Sequence, residues 1–218
     1  MFFLLMLSFR YLLKIISMSK VIFITGASSG IGKSIATYLH NNKYIVYGTS
    51  RNPDKLKLPF AMVALDVTDE VSIKEAIGKV ITKEGRIDVL INNAGKGITG
   101  PIEDTPTNEM RANFETNFFG AIDVMKAVLP SMRAQKSGLI INTTAIAGYM
   151  GLPVRGIYSA SKGALELVTE SLSMEVKQFG IRIVNAAPGD FATNSAAGRY
   201  PTPVFEGSAY KAKYAENL

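Results

Sequence analysis

The 218-residue chain has no cysteine, no tryptophan and a single histidine, His40. Without thiols there can be no disulfide, no thiolate nucleophile and no thiolate metal site. One histidine excludes a multi-histidine zinc centre, so no metal is expected, and any Ser-His-Asp chemistry would rest on His40 alone. Charge is sparse as well: Asp, Glu, Lys and Arg make up 19% of the chain. Lys and Arg total 24 against 18 acids, a net charge of +6. There is no dense basic run and no aromatic-basic interleaving, so nucleic acid is not an expected partner. A modest positive excess suits an anionic small molecule. No apolar run reaches the ~20 residues needed to cross a bilayer. Apolar residues are plentiful, at 47%. That is enough for the core of one domain and too much for a disordered chain.

Residues 1–17 (MFFLLMLSFRYLLKIIS) stand apart. A signal peptide carries its positive charges before the apolar region; here Arg10 and Lys14 follow it, and no small-residue cleavage site is evident. As a helix, Arg10, Lys14 and Ser17 would form one polar stripe on an apolar cylinder, which suits a membrane interface. Met18-Ser19-Lys20 also reads as a natural beginning just before the first strand, which would make residues 1–17 an upstream-start artefact or a tail. The expected organisation is this extension followed by one domain over residues 18–218. Membrane contact is expected only if the extension is real, and the location is otherwise cytoplasmic.

The domain alternates short apolar runs with helical patterns. Val21–Thr25, Tyr44–Thr49, Ala61–Leu65, Val89–Asn92, Leu139–Thr143 and Ile181–Ala186 read as strands. Helices are expected over Ile31–Asn41, with Ile31, Ile35, Tyr38 and Leu39 on the inner side, and over Glu70–Lys83, capped by Thr68 and packed through Val71, Ala76, Val80 and Ile81. Two longer ones are expected near 108–132, with an interruption, and 158–179. Continuously apolar strands alternating with helices predict a parallel sheet covered on both faces, an α/β fold. Residues 190–218 contain no convincing strand.

Thr25-Gly26-Ala27-Ser28-Ser29-Gly30-Ile31-Gly32 lies between the first strand and the first helix. Gly26 permits a tight turn, Gly30 lets the backbone approach a pyrophosphate, and Gly32 lets the helix pack closely. The helix N-terminus offers free N–H groups and a positive dipole end to phosphates. The spacing is G-x-x-x-G-x-G. Asn92-Asn93-Ala94-Gly95, Tyr158-Ser159-Ala160-Ser161-Lys162 and Pro188-Gly189 follow strands four, five and six in order. With these four motifs, residues 19–195 resemble the short-chain dehydrogenase/reductase family.

The second strand ends in Thr49-Ser50-Arg51, with no acid where an NAD enzyme needs one for the ribose hydroxyls. A carboxylate would repel the 2′-phosphate of NADP, whereas Arg51 can bind it bidentately, and Thr49 and Ser50 add hydroxyls. NADP(H) is therefore the expected cofactor. The resemblance implies a Rossmann-type doubly wound sheet of about six strands in the order 3-2-1-4-5-6. It assigns Asp66 to the adenine amino group, a role that competes with helix capping. It puts Asn92 and Ala94 on the adenosine side, counts Gly95 among the cofactor-binding residues, and places Ser28, Ser29, Gly30 and Ile31 in the phosphate turn. The resemblance also implies that Pro188 and Gly189 bind the cofactor and that Thr193 lies near the nicotinamide amide.

Tyr158 and Lys162 share one face of a helix. An ammonium beside a phenol favours the phenolate, so the tyrosine can exchange a proton with a carbonyl or hydroxyl. The resemblance makes them catalytic, implies that Lys162 also holds the nicotinamide ribose, and adds Asn117 as a relay that orders a water. It expects a serine thirteen residues before the tyrosine, and that position holds Ala145. Thr144 is adjacent but of opposite strand parity. The expected reaction is hydride transfer between NADP(H) and a secondary alcohol or carbonyl, weakened by the absent hydroxyl; the competing reading is a non-catalytic NADP-binding protein. Ile146, Tyr149, Met150, Leu152 and Phe191 suggest an apolar substrate pocket. The family's last strand lies well beyond Leu218, so residues 190–218 hold only a partial substrate loop and the sixth strand is left as an open edge. A homodimer through the two long helices is expected, using Phe114, Phe118, Phe119, Val124 and Val128 on the first and Leu165, Leu167, Val168, Leu172 and Met174 on the second.

Overall fold

A computed structural model describes residues 19–189, 198–203 and 205–215. The apolar extension and Thr193 lie outside them. Six strands form one parallel sheet: β1 (Val21–Ile24), β2 (Ile45–Ser50), β3 (Ala61–Ala64), β4 (Val89–Asn92), β5 (Gly138–Thr143) and β6 (Ile181–Ala186), in the order β3-β2-β1-β4-β5-β6. Every pairing is parallel, with β1 between β2 and β4. This is the expected Rossmann-type sheet.

Strand alternation separates two cores. Val21 and Phe23 point to one face and Ile22 and Ile24 to the other, and all four are buried. Helix α1 (Gly30–Asn41) covers the second face through Ala36, Ile35 and Leu39. Helices α2 (Glu70–Glu84), α3 (Thr107–Phe114), α4 (Gly120–Gln135) and α5 (Gly156–Val176) follow in the chain, and α2, α4 and α5 cover the first face. Each such buried apolar side chain is worth about 1.5–3 kcal/mol of transfer free energy.

Several sequence expectations change. Tyr38 and Val71 are exposed, at 68% and 64%, so α1 and α2 bury narrower stripes than expected, and Ile73 and Ile77 join Ala76 and Val80 on α2. The cap of α2 is Asp69, not Thr68: its carboxylate accepts from the Val71 and Ser72 N–H groups. Thr68 instead donates to Asp66. The long helix near 108–132 is interrupted by a π-helical turn at Glu115–Phe119. Val124, Val128 and Leu165 are fully used by the core and cannot serve a dimer face, whereas Phe119, Leu167 and Met174 are exposed. Tyr200–Pro201 forms a two-residue parallel ladder with Ile98–Thr99, although no strand was expected after residue 190. A short helix, α6 (Lys211–Ala215), follows, and the Tyr214 hydroxyl donates to the Thr99 carbonyl at 2.9 Å.

Candidate active site

The carboxyl ends of β1, β2 and β4 converge on the glycine turn. Gly26 has φ +67°, a left-handed value that costs a residue with a Cβ roughly 1–2 kcal/mol. A Cβ there would also stand 2.9 Å from Ala94 Cα. Gly32 is tighter still: a Cβ would meet the Gly26 carbonyl and the Asn93 amide at 2.4 Å. Its role is therefore to admit the turn itself and the loop after β4, rather than the sheet. Gly26→Ala is expected to lower stability by about 2 kcal/mol or more, from strain plus overpacking, as read from a urea midpoint.

The stitching of this turn falls to two residues that sequence reasoning passed over. Thr25 Oγ1 accepts from the N–H groups of Asn93 and Ala94, both at 2.9 Å. The Asn93 side chain donates to the Thr25 and Gly26 carbonyls at 3.0 and 2.9 Å. Their signal was their position inside the two motifs. Asn92, expected beside the adenosine, turns its side chain inward to Asn142 Oδ1 and the Ala121 carbonyl. Both bonds use Nδ2, and Oδ1 is buried with no hydrogen-bond partner among the described residues, so the side chain faces the core rather than a ligand. Gly30 has φ +55°, and the N-cap Ser29 makes no side-chain capping bond. The first N–H groups of α1, beside Ser28 and Ile31, thus keep their donors for an anion.

At the end of β2, Thr49 is buried and its hydroxyl faces the Gly26 N–H at 3.4 Å, so it is committed to the turn. Ser50 differs: its Oγ is buried and has no hydrogen-bond partner among the described residues. Exposed Arg51 follows it. Asp66, at the end of β3, lies within reach of the Arg51 charge. Its carboxyl is held below the ordinary range, first by the Thr68 N–H and hydroxyl, opposed by burial, and then by Arg51. Since Asp69 caps α2, Asp66 is free of that duty.

The chemical end lies where β4, β5 and α5 meet. Lys162 is only 5% exposed, and its Nζ donates to the Thr143 carbonyl at 2.8 Å. Burial lowers its pKa to about 8, partly opposed by Glu166. The ammonium stands 5.9 Å from the Tyr158 ring centre. Gly95 lies under this group: a Cβ on it would be 3.5 Å from Lys162 Nζ and 3.1 Å from Asn117 Oδ1. Asn117 sits in the π-turn, a feature often found at functional sites. Its side chain is fully occupied. Oδ1 accepts from the Lys96 N–H at 2.8 Å, while Nδ2 faces the Lys96 carbonyl, Asn113 Oδ1 and Ser161 Oγ. It clamps the loop after β4, and no side-chain donor is left over for a water.

Ala145 is buried and extended, with φ −164° and ψ 153°. Thr144 is also buried, and its hydroxyl donates to the Ala186 carbonyl at 3.2 Å. It does not supply the missing hydroxyl in this arrangement. Pro188 accepts from the Ile146 N–H at 3.2 Å, and Gly189 packs near the Ile146 side chain, which draws the loop after β6 to the same end of the sheet.

A model of the short-chain dehydrogenase family matches residues 20–203. The chain belongs to the short-chain dehydrogenase family. It is 46% identical over 180 residues to a 3-ketodihydrosphingosine reductase of Bacteroides thetaiotaomicron, covering 83% of this chain and 67% of that protein. Among solved structures, a short-chain dehydrogenase of Streptomyces avermitilis matches with a TM-score of 0.84 at 35% identity, over 91% of this chain and 76% of that one. ElxO with NADP bound matches at 0.77 and 34% identity, over 83% and 77%. An NAD+-bound xylitol dehydrogenase matches at 0.74 and 31%, over 78% and 70%. Membership makes the chain an oxidoreductase of small molecules, and both nicotinamide cofactors occur among its relatives.

A cavity of about 550 Å³ opens beside the start of α5, within the range of ligand pockets. Pro101, Ile102, Leu152, Pro153 and Val154 form its apolar wall. Of the residues expected to line a pocket, only Leu152 does. Ile146, Tyr149 and Met150 are exposed and outside the lining, and Phe191 lies outside the described residues. Tyr210 and Tyr214, from the segment expected to be a partial loop, close the cavity. Nothing local in the sequence marks that contact, because it spans more than a hundred residues.

Proposed function

We propose that the chain is an NADP(H)-dependent oxidoreductase that moves hydride between the nicotinamide and a secondary alcohol or carbonyl. The observation that carries the cofactor choice is the end of β2. A buried Ser50 Oγ without a partner stands beside exposed Arg51, with no acid between Gly48 and Asn52. A buried hydroxyl left unpaired costs about 1–3 kcal/mol, which a phosphate oxygen would recover. The turn from Gly26 to Gly32 fits a pyrophosphate, Asp66 an adenine amine and Ala94 the adenosine side; Pro188, Gly189 and, by the family resemblance, Thr193 belong to the nicotinamide half, and Gly95 lies beneath Lys162. Bound there, the cofactor supplies or accepts the hydride. Tyr158 gives or takes the proton at the substrate oxygen. Lys162 holds a positive charge next to that phenol and reaches the ribose, and Asn117 fixes the loop beneath both. At position 145 no hydroxyl is available to orient the substrate oxygen, so turnover is weak. The Bacteroides relative supports a keto lipid among the substrates to be tried.

NADPH should bind at least ten times more tightly than NADH, about 1.4 kcal/mol. Arg51→Ala should shrink that ratio. Equal affinities by calorimetry for the unaltered protein would sink the preference. Absorbance at the nicotinamide band, followed over a panel of diketones, steroids, quinones and long-chain ketones, tests turnover. A protein that binds NADPH but turns over none of them would favour the second reading, a non-catalytic NADP-binding protein, which Ala145 supports.

The proposed assembly is a homodimer. Phe119 on the π-turn and Leu167 and Met174 on α5 expose large apolar surface at 47%, 70% and 69%. Their helices already bury the opposite face in the sheet core. Covering the outer face with a symmetric copy is the economical solution. Sedimentation at micromolar concentration should give a dimer, and Leu167→Glu should give a monomer. A monomeric parent protein would remove this interface.

A further inference from the structure

The geometry points to a cationic amphiphile, an alkyl chain carrying a protonated amine, as the class of molecule that fills the cavity beside α5, with Glu103 as the residue that selects it. The lining supports this by what it offers and what it withholds. Its wall is largely aliphatic, and among the described residues Glu103 is the one charged side chain on it. Glu103 accepts from the Tyr210 hydroxyl at 2.7 Å, and no cation pairs with it among the described residues. The two hydroxyls on the lining are already spent. Tyr210 donates to Glu103, and Tyr214 donates to the buried Thr99 carbonyl. Among the described residues, the cavity's side chains therefore present an acceptor and no uncommitted donor. A carboxylate or phosphate placed there would meet a like charge and find no side-chain N–H or O–H to replace its water. An ammonium would find a charge-assisted acceptor at the rim, while its alkyl chain lies on Ile102, Leu152 and Val154. Asp104 follows in sequence and accepts from Ser208 at 2.5 Å, which adds a second negative charge on the same segment. Arg199 is an opposing charge in the neighbourhood. It reaches Tyr214 electrostatically, but its stem packs on Gly97 and it does not line the cavity.

Tyr214 on α6 and Tyr210 just before it close the cavity. Val154 supports a functional role for the wall. It is β-branched yet has φ +55°, a strained value that costs on the order of 1–3 kcal/mol and clusters at ligand sites. The inference deepens the oxidoreductase reading by naming a substrate class, and it rests on that reading only for what happens to the bound molecule.

Binding separates the two. Octylamine, octanol and octanoate are titrated calorimetrically into the full protein at pH 7, without cofactor and with NADP+. Octylamine should bind at least ten times more tightly than octanoate, with octanol between them. Glu103→Gln should cut the octylamine affinity about tenfold and leave octanol within twofold. Tyr210→Phe, which releases the Glu103 carboxylate from its partner, should hold or raise octylamine affinity, and it guards against reading a folding defect as lost recognition. Equal affinities for amine and carboxylate, or a Glu103→Gln variant that binds octylamine like the parent, would overturn the assignment. Amine binding in a protein that fails to bind NADP+ would leave the cavity assignment standing and remove the oxidoreductase reading. Equal turnover of long-chain ketones with and without an amine would do the reverse.

Discussion

Ala145→Ser is expected to raise kcat about tenfold or more, and Tyr158→Phe to abolish turnover while NADPH affinity stays within a few-fold of the parent. One positioned donor to a developing oxyanion is worth on the order of 10²–10³ in rate, and a serine restored to a site not tuned to it should recover part of that. The position is ready for it: Ala145 is extended and lies two residues beyond Thr143, whose carbonyl holds Lys162. The steady-state rate against the best substrate of the panel is the measurement. If Ala145→Ser changes nothing while Thr144→Val removes activity, Thr144 is the working donor. Its hydroxyl would then have to leave the Ala186 carbonyl in the complex.

The second large effect is a dependence on pH through Lys162. Burial brings its pKa to about 8 from an ordinary 10.5, with Glu166 acting against the shift. Turnover should fall as pH rises through about 8, because the ammonium that favours the Tyr158 phenolate is lost. Stability moves the other way. Between about 8 and 10.5 the unfolded chain holds a proton at this lysine that the folded chain has released, so this group's contribution to stability rises with pH in that window. The cost of the buried ammonium is fully present below 8. Lys162→Met removes the titration. The Tm of the parent should therefore rise relative to that of the variant from pH 7.5 to pH 10. A constant difference would show that Lys162 titrates at its ordinary value, and the activity limb near 8 should then be absent too.

The open edge of the sheet bears on handling such variants. Among the described residues β6 pairs only with β5, and Val184 on it is 45% exposed. Unpaired N–H and C=O groups there favour association. Sedimentation of the Leu167→Glu variant therefore separates helix-mediated dimers from edge-mediated aggregates.

The amino-acid sequence by itself determined the parallel sheet, because continuous apolar runs alternating with helical patterns leave few other ways to cover both faces; the strand order followed only from the family resemblance carried by the four ordered motifs. It also determined the glycine turn, the Tyr158–Lys162 pair and the alanine at 145, since all three depend on spacing along one local stretch. Tertiary structure alone decided the duties of individual polar side chains. Asn92 and Asn93 are adjacent and chemically identical. One turns into the core against Asn142 and the other pins the turn through Thr25 and Gly26. Strand parity sends them apart, and only the partners on each side say which is free. Thr68 was the expected cap of α2 and Asp66 the competing one, but the carboxylate of Asp69 is the group placed to accept from the Val71 and Ser72 N–H groups. Val124 and Leu165 could have served a dimer or the core, and the sheet behind them took both. The cavity was the least legible of all. Its wall joins residues near 101 and 153 to tyrosines at 210 and 214, and such a contact is set by how the chain closes over the sheet rather than by any pattern within one segment.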